Sequence, residues 1–407
     1  MRFVLVSTHV DQTTGYAKVA YNLLRQVSSI SPKVKTFHFG FQRHPDRKNI
    51  RKLPDGVVGY DAAANEDPRE EGFGFNKIVE YVEMVRPDVV MIYNDPLIIC
   101  KFIETLKYDK ATSPFKLWLY VDQVYAGVAQ PLVDTMNKAA SRIYCFTELW
   151  AKRYAAYTEG PVVLPGVLEH GIDAAEFTCM SKAQRESLRR NIKVPTDAIM
   201  FLNANRNSQR KRLDLTIMGF VKLLTLTDAP VHLMIVTAMN PQQGAYYDLH
   251  RIFINELKRE GLSPETYSGR LLIVDTAPPN SLTDSQINEI YNMTDIGLNT
   301  SDGEGFGLCQ LEHLYTGAPQ VVTDVGSYRS FLNDDVSAFV PASGLQYFSG
   351  GMPLGMSAPT FDPGQLAAAM NDMVKTLDTR RAAIKSFPFK SWTNVCDSWL
   401  EDLHKAS

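Results

Sequence analysis

Two successive series of short β-branched runs, each run separated from the next by an amphipathic segment, constrain this chain more than anything else in it. That alternation builds a parallel sheet with helices on both faces. In the first half the expected strands are residues 3–7, 34–39, 89–93, 117–121, 143–146 and 162–164, and the expected helices 15–27, 76–85, 97–106, 133–140 and 149–157. The pattern loosens around 166–180, passes through a charged helix at 181–192, and restarts. Strands are then expected at 200–203, 231–237, 271–274, 296–299 and 320–323, with helices at 213–224, 247–260, 284–292, 308–316, 365–376 and 392–405. A chain of 407 residues exceeds one ordinary core and suits two. The expected architecture is α/β, with two doubly wound Rossmann-like domains, 1–178 and 179–387.

Charge and composition narrow the function. A net charge of −3 gives no reason to expect a nucleic-acid partner. The chain enters a strand at its first residues, and no apolar stretch reaches membrane-spanning length, so a cytoplasmic protein is expected, in the host cell if the source is viral. The five cysteines have no metal-type spacing and are expected as reduced core residues. Residues 42–71, rich in charge and proline, are expected to be irregular surface, and 344–363 a long loop serving as a flap or insertion.

In open α/β sheets ligands sit beyond the carboxyl ends of the strands. One such end carries Thr300-Ser301-Asp302-Gly303-Glu304-Gly305-Phe306-Gly307-Leu308-Cys309-Gln310-Leu311-Glu312, a strand, a glycine-rich turn and a helix start. The glycines let backbone approach a ligand, and the first amides of the helix favour an anion. Glu304 and Glu312 flank that position, which suits a diphosphate carrying hydroxylated groups at both ends; a plain strand-to-helix turn with two solvated acids is the alternative. A second such end runs Ala204-Asn205-Arg206-Asn207-Ser208-Gln209-Arg210-Lys211-Arg212, four cations within seven residues. Arg206 as a two-pronged donor and Lys211 as a point charge would neutralise a diphosphate, while a solvated charged face is the other reading. In the first half, Gly15 opens a helix after Thr14 and is either a phosphate-facing amide or an ordinary capped helix start. His9 and Asp11 read as loop polar groups. Asp95, Asp122, Glu148 and Glu169-His170 fall at the same sheet edge, as hydroxyl-binding or proton-accepting groups or as caps.

With both halves laid out, the chain resembles the retaining glycosyltransferases of family 4, which have the two-domain GT-B fold, and is similar to glycosyltransferases encoded by large chlorella viruses. Glu304 and Glu312, with Gly305-Phe306-Gly307-Leu308 between, match that family's Glu-x7-Glu signature. Arg206 and Lys211 look like its phosphate-binding pair, Gly15 like its amino-terminal glycine loop, and Gly171-Ile172-Asp173 like its linker. The resemblance implies two domains facing across a cleft and a terminal helix, about 388–407, packing back on the first. It implies no cofactor and no metal: Glu312 would hold the ribose, Glu304 the transferred sugar, and Arg206, Lys211, Gly15 and the Gly307-Leu308 amides the departing diphosphate. Each charged contact there would supply on the order of 2–4 kcal/mol. The donor is expected to be GDP-mannose, with a UDP-sugar as alternative, and the acceptor a glycan hydroxyl of unspecified identity. Two departures stand out. Asp122 occupies the loop where the family often has a histidine, and Gly326-Ser327-Tyr328-Arg329 replaces a frequent Gly-Gly and Glu. A sugar-nucleotide epimerase, a phosphorylase-like enzyme and a non-catalytic nucleotide-sugar binder remain as rivals.

Overall fold

The computed structural model describes residues 1–30, 33–45, 51–156 and 163–406. In chain order the elements are β1 (Arg2–Thr8), α1 (Gly15–Ile30), β2 (Lys35–Phe41), β3 (Val57–Asp61), α2 (Ile78–Val85), β4 (Val89–Asn94), α3 (Pro96–Leu106), β5 (Lys116–Val121), α4 (Gln130–Ala139), β6 (Arg142–Cys145), α5 (Glu148–Ala156) and β7 (Gly166–Val167). The second series runs α6 (Lys182–Asn191), β8 (Ile199–Asn203), α7 (Leu213–Leu224), β9 (Val231–Thr237), α8 (Leu249–Arg259), α9 (Pro264–Tyr267), β10 (Leu271–Asp275), α10 (Asp284–Met293), β11 (Ile296–Asn299), α11 (Leu308–Tyr315), β12 (Gln320–Thr323) and β13 (Ser337–Val340). Then follow β14 (Gly344–Tyr347), β15 (Ser357–Thr360), α12 (Pro363–Ile384) and α13 (Trp392–Ala406).

Two compact units result: 1–171 with 347–357 and 390–407, and 172–346 with 358–389. The first unit's sheet is parallel, in the order β3-β2-β1-β4-β5-β6-β7. Its central strands, β1 and β4, are apolar and almost wholly buried, as expected where helices cover both faces. Helix α13 packs onto this unit through Trp399, whose ring meets Phe3 edge-on at 5.9 Å, and through Asp402, which accepts from Tyr144 Oη at 2.8 Å. Gly171 permits this approach, since a Cβ there would lie 2.3 Å from the Trp392 amide nitrogen.

The second unit's sheet, in the order β10-β9-β8-β11-β12-β13, is also parallel. Its entrance helix α6 starts at a capping box, Ser181 accepting from the Gln184 amide and the Gln184 side chain accepting from the Ser181 amide. At the amino end of β11 the buried Asp295 gathers three arginines. Arg185 donates to it at 3.2 Å, and Arg189 and Arg381 sit closer still. Burial alone would raise this carboxyl, but Arg189, Arg381, the Met200 amide and Arg185 together hold its pKa below the ordinary value.

Several expectations needed correction. Strand β3 lies inside the segment expected to be irregular; it is a half-exposed edge strand, so its hydrophobic alternation is weak. The short outer strand β13 was not anticipated. The loop expected at 344–363 contains the paired strands β14 and β15, and α12 continues well beyond residue 376. The strand expected at 162–164 begins outside the described residues, as does the end of the helix expected at 149–157; β7 is the strand described at that edge. Cys100, Cys145 and Cys396 are buried thiols, but Cys179 is exposed and Cys309 half-buried, so two of the five are not core residues. No helix among the described residues is long and apolar enough to cross a membrane.

Candidate functional site

In each sheet the strand order reverses between two neighbours, β1 and β4 in the first and β8 and β11 in the second. The loops leaving the carboxyl ends of such a pair diverge to opposite faces and leave a crevice, which is where doubly wound sheets take ligands. In the second unit those two loops are the ones singled out from sequence: the cationic loop after β8 and the glycine-rich turn after β11.

Hydroxyl and amide groups fasten the two loops together. Thr300 Oγ1 donates to the Arg212 carbonyl at 2.9 Å and lies 2.6 Å from Thr216 Oγ1. Asn299 accepts from the Ser301 amide at 3.0 Å while donating to Gln310 at 2.8 Å, so the turn is tied to the helix that follows it. On this frame Lys211 and Glu304 meet as a buried ion pair, with side chains 9% and 12% exposed. Ser301 Oγ donates to the same carboxylate oxygen at 3.2 Å and Arg210 Nη1 stands 3.4 Å from it. Burial would push the Glu304 carboxyl up; Lys211, Arg210 and Ser301 outweigh it and leave the group at about 2. Burial lowers the Lys211 ammonium and Glu304 opposes that shift.

Gly307 caps α11 with φ 108°. A Cβ at this position would lie 2.4 Å from Tyr328 Cε1, so both the backbone conformation and the neighbour demand glycine. Tyr328 belongs to the 326–329 segment, and its ring covers the turn at the helix start. Gly307→Ala is expected to destabilise the fold by about 1–3 kcal/mol, read as a lower denaturant midpoint. Phe306 is buried and stacks on Phe331 at 4.6 Å. Further along α11, Glu312 is buried and accepts from Tyr291 Oη at 3.0 Å.

The structure therefore brings Lys211, Glu304 and the 305–308 turn together, with Glu312 farther along the same helix. Arg206 is exposed, and the second cation on Glu304 is Arg210, which sequence reasoning passed over. Four cations in one short run carry no signal of which one the 3-10 turn Gln209–Lys211 directs inward. Tyr291 and Tyr328 were also missed, since each comes from an element distant in sequence.

In the first unit, Gly15 is exposed with open space around it, and Thr14 Oγ1 caps the helix by accepting from the Ala17 amide at 3.1 Å. Asp122 accepts from Tyr16 Oη at 2.5 Å, and Tyr16 packs on Tyr93. Asp95 is a helix cap, accepting from the Ile98 amide at 3.1 Å. Glu148 pairs with Lys152 at 3.1 Å and Glu169 with Lys390 at 2.5 Å. His9 and Asp11 are more than loop polar groups: they form a buried pair at 2.7 Å, with Arg43 donating to Asp11 at 2.9 Å.

Comparison with known proteins identifies the fold. Anabaena HepE in complex with UDP and glucose superimposes with a TM-score of 0.68 over the whole of both chains at 14% identity. The sucrose-phosphate synthase of Thermosynechococcus elongatus does so with a TM-score of 0.68, likewise over both whole chains, at 15% identity. The fold is that of the GT-B glycosyltransferases. In sequence, the D-inositol 3-phosphate glycosyltransferase of Thermobifida fusca is 26% identical over 204 residues, 50% of this chain and 44% of that protein; the match thus spans less than half of the relative's length. No family model matches the chain.

Proposed function

We propose that this chain is a glycosyltransferase that moves a hexose from a nucleoside-diphosphate sugar to an acceptor hydroxyl, with the donor held by the second unit. The observation that carries the reading is the Lys211–Glu304 pair with its neighbour Arg210, buried between the two loops of the strand-order reversal and beside the start of α11. A buried cation there meets a diphosphate, and a carboxylate held ionised beside it meets sugar hydroxyls. Glu312, oriented by Tyr291, takes the ribose hydroxyls. Lys211, the helix-start amides and Arg206 stabilise the charge that develops on the diphosphate as the glycosidic bond breaks. The finer reading is a retaining, metal-independent transfer of the family 4 kind. The acceptor's proton passes to the leaving diphosphate on the face from which it departs.

For the donor, the family resemblance alone leans to GDP-mannose, whereas the HepE complex with UDP and glucose favours a uridine nucleotide. A panel of GDP-, UDP- and ADP-sugars with chelator present, read by release of the nucleoside diphosphate, decides between them. Release from one donor is the expected result. Tight nucleotide binding with no release from any donor and any acceptor mixture would favour a binding protein instead, and activity abolished by the chelator would remove the metal-free part.

A further inference from the structure

We propose that Arg210 is a positioning residue for the donor sugar, the partner that keeps Glu304 ionised and in place when Lys211 leaves it for the diphosphate. The inference rests on the reading of the second unit as a donor site, and it starts from a competition visible in the unliganded fold. The cation best placed for a diphosphate is already spent on a carboxylate, since Lys211 and Glu304 are in direct contact. A diphosphate that recruits Lys211 would, on its own, strand a buried carboxylate beside two further negative charges. Stranding such a charge is severe, and a site built that way would hold its ligand weakly.

Arg210 removes the conflict. Its guanidinium reaches both the Gly303 carbonyl and the Glu304 carboxylate, the latter at 3.4 Å, and its own carbonyl accepts from the Asp302 amide at 3.0 Å. The residue is thus tied to the 302–304 turn by main chain and side chain alike. A forked five-donor guanidinium can hold a carbonyl and a carboxylate at once, whereas the ammonium of Lys211 is a compact charge on a flexible stem. When Lys211 turns away, the contacts from Arg210 and Ser301 remain. Titratable groups that face this pair include Tyr328, which feels both Glu304 and Arg210, and Cys309, which lies near Lys211, with Asp302 in the same turn.

Calorimetry with UDP and GDP on the full chain tests this, using Arg210→Met, Arg210→Lys, Glu304→Gln and the double variant Arg210→Met/Glu304→Gln. Arg210→Met is expected to weaken binding of the preferred diphosphate roughly tenfold, because Lys211 is then held by an otherwise stranded carboxylate. Adding Glu304→Gln removes the competitor and is expected to restore affinity to within about threefold of the unaltered chain, and Arg210→Lys to retain most of it. A merely structural role or a direct phosphate contact would leave the double variant as weak as Arg210→Met, and either outcome overturns the proposal. So does an Arg210→Met protein that binds like the unaltered chain. Should Arg210→Met fail to fold, as its melting curve would show, Arg210→Gln carries the same comparison. An unaltered chain that binds neither nucleotide overturns the donor-site reading and this inference with it, whereas normal binding with no rescue overturns the inference alone.

Discussion

Replacing Lys211 by methionine is expected to lower kcat for the preferred nucleotide sugar by about 10²–10³-fold, the usual consequence of removing one preorganised charge from a leaving group. Methionine keeps much of the stem's volume and removes the ammonium. The Glu304 carboxylate still has Arg210 at 3.4 Å and Ser301 at 3.2 Å, so the variant is expected to fold, with a cooperative melting curve as the check. Initial rates of diphosphate release give the readout. A loss smaller than about threefold would mean that Lys211 serves only to neutralise Glu304 and that the reaction is centred elsewhere.

The second large effect concerns stability. Asp295→Ala is expected to destabilise the second unit by about 3–5 kcal/mol, measured as the shift in denaturant midpoint at constant slope, because it leaves Arg189 buried without its carboxylate. Arg189 retains its bonds to the Met293, Thr196 and Ala198 carbonyls, and these groups compensate a dipole but not a full charge. The wild-type pair also implies a pH dependence. Asp295 has a folded pKa below its unfolded one, so its contribution is fully present above the ordinary carboxylate pKa and is lost as pH falls through the depressed value. Asp295→Ala is therefore expected to flatten the acid side of the stability profile. An unchanged acid limb would place the controlling carboxylate elsewhere, with Glu304, held at about 2, the next candidate.

Much of the fold was legible because it rests on repetition. Buried strands such as β4 and β8 are near-continuous apolar runs flanked by helical periods, and a parallel sheet covered on both faces leaves little other way to read them. The failures fall where burial is partial. Strand β3 has an edge position and mixed exposure, and β14 is exposed along its whole length, so neither writes a hydrophobic period into the sequence. The candidate site was legible in its parts for the same kind of reason. A glycine-rich turn entering a helix is a local device, and Gly307 is required by its own φ and by the ring of Tyr328. What sequence could not supply was pairing. The resemblance singled out Arg206 and Lys211; the short 3-10 turn before Arg212 sets Lys211 on Glu304 with Arg210 beside it, a partner that the run of four cations did not single out. Likewise, the Tyr291 hydroxyl on Glu312 and the His9–Asp11–Arg43 cluster depend on strand order and loop closure, which periodicity does not encode.

Titrating UDP, GDP and ADP, with the matching monophosphates, into the unaltered chain and into Lys211→Met tests the donor site most directly. One nucleoside diphosphate is expected to bind, its monophosphate more weakly, and Lys211→Met is expected to lose most of the difference between the two. Equal binding of mono- and diphosphate, or a Lys211→Met protein that still distinguishes them as the unaltered chain does, would contradict the donor-site reading.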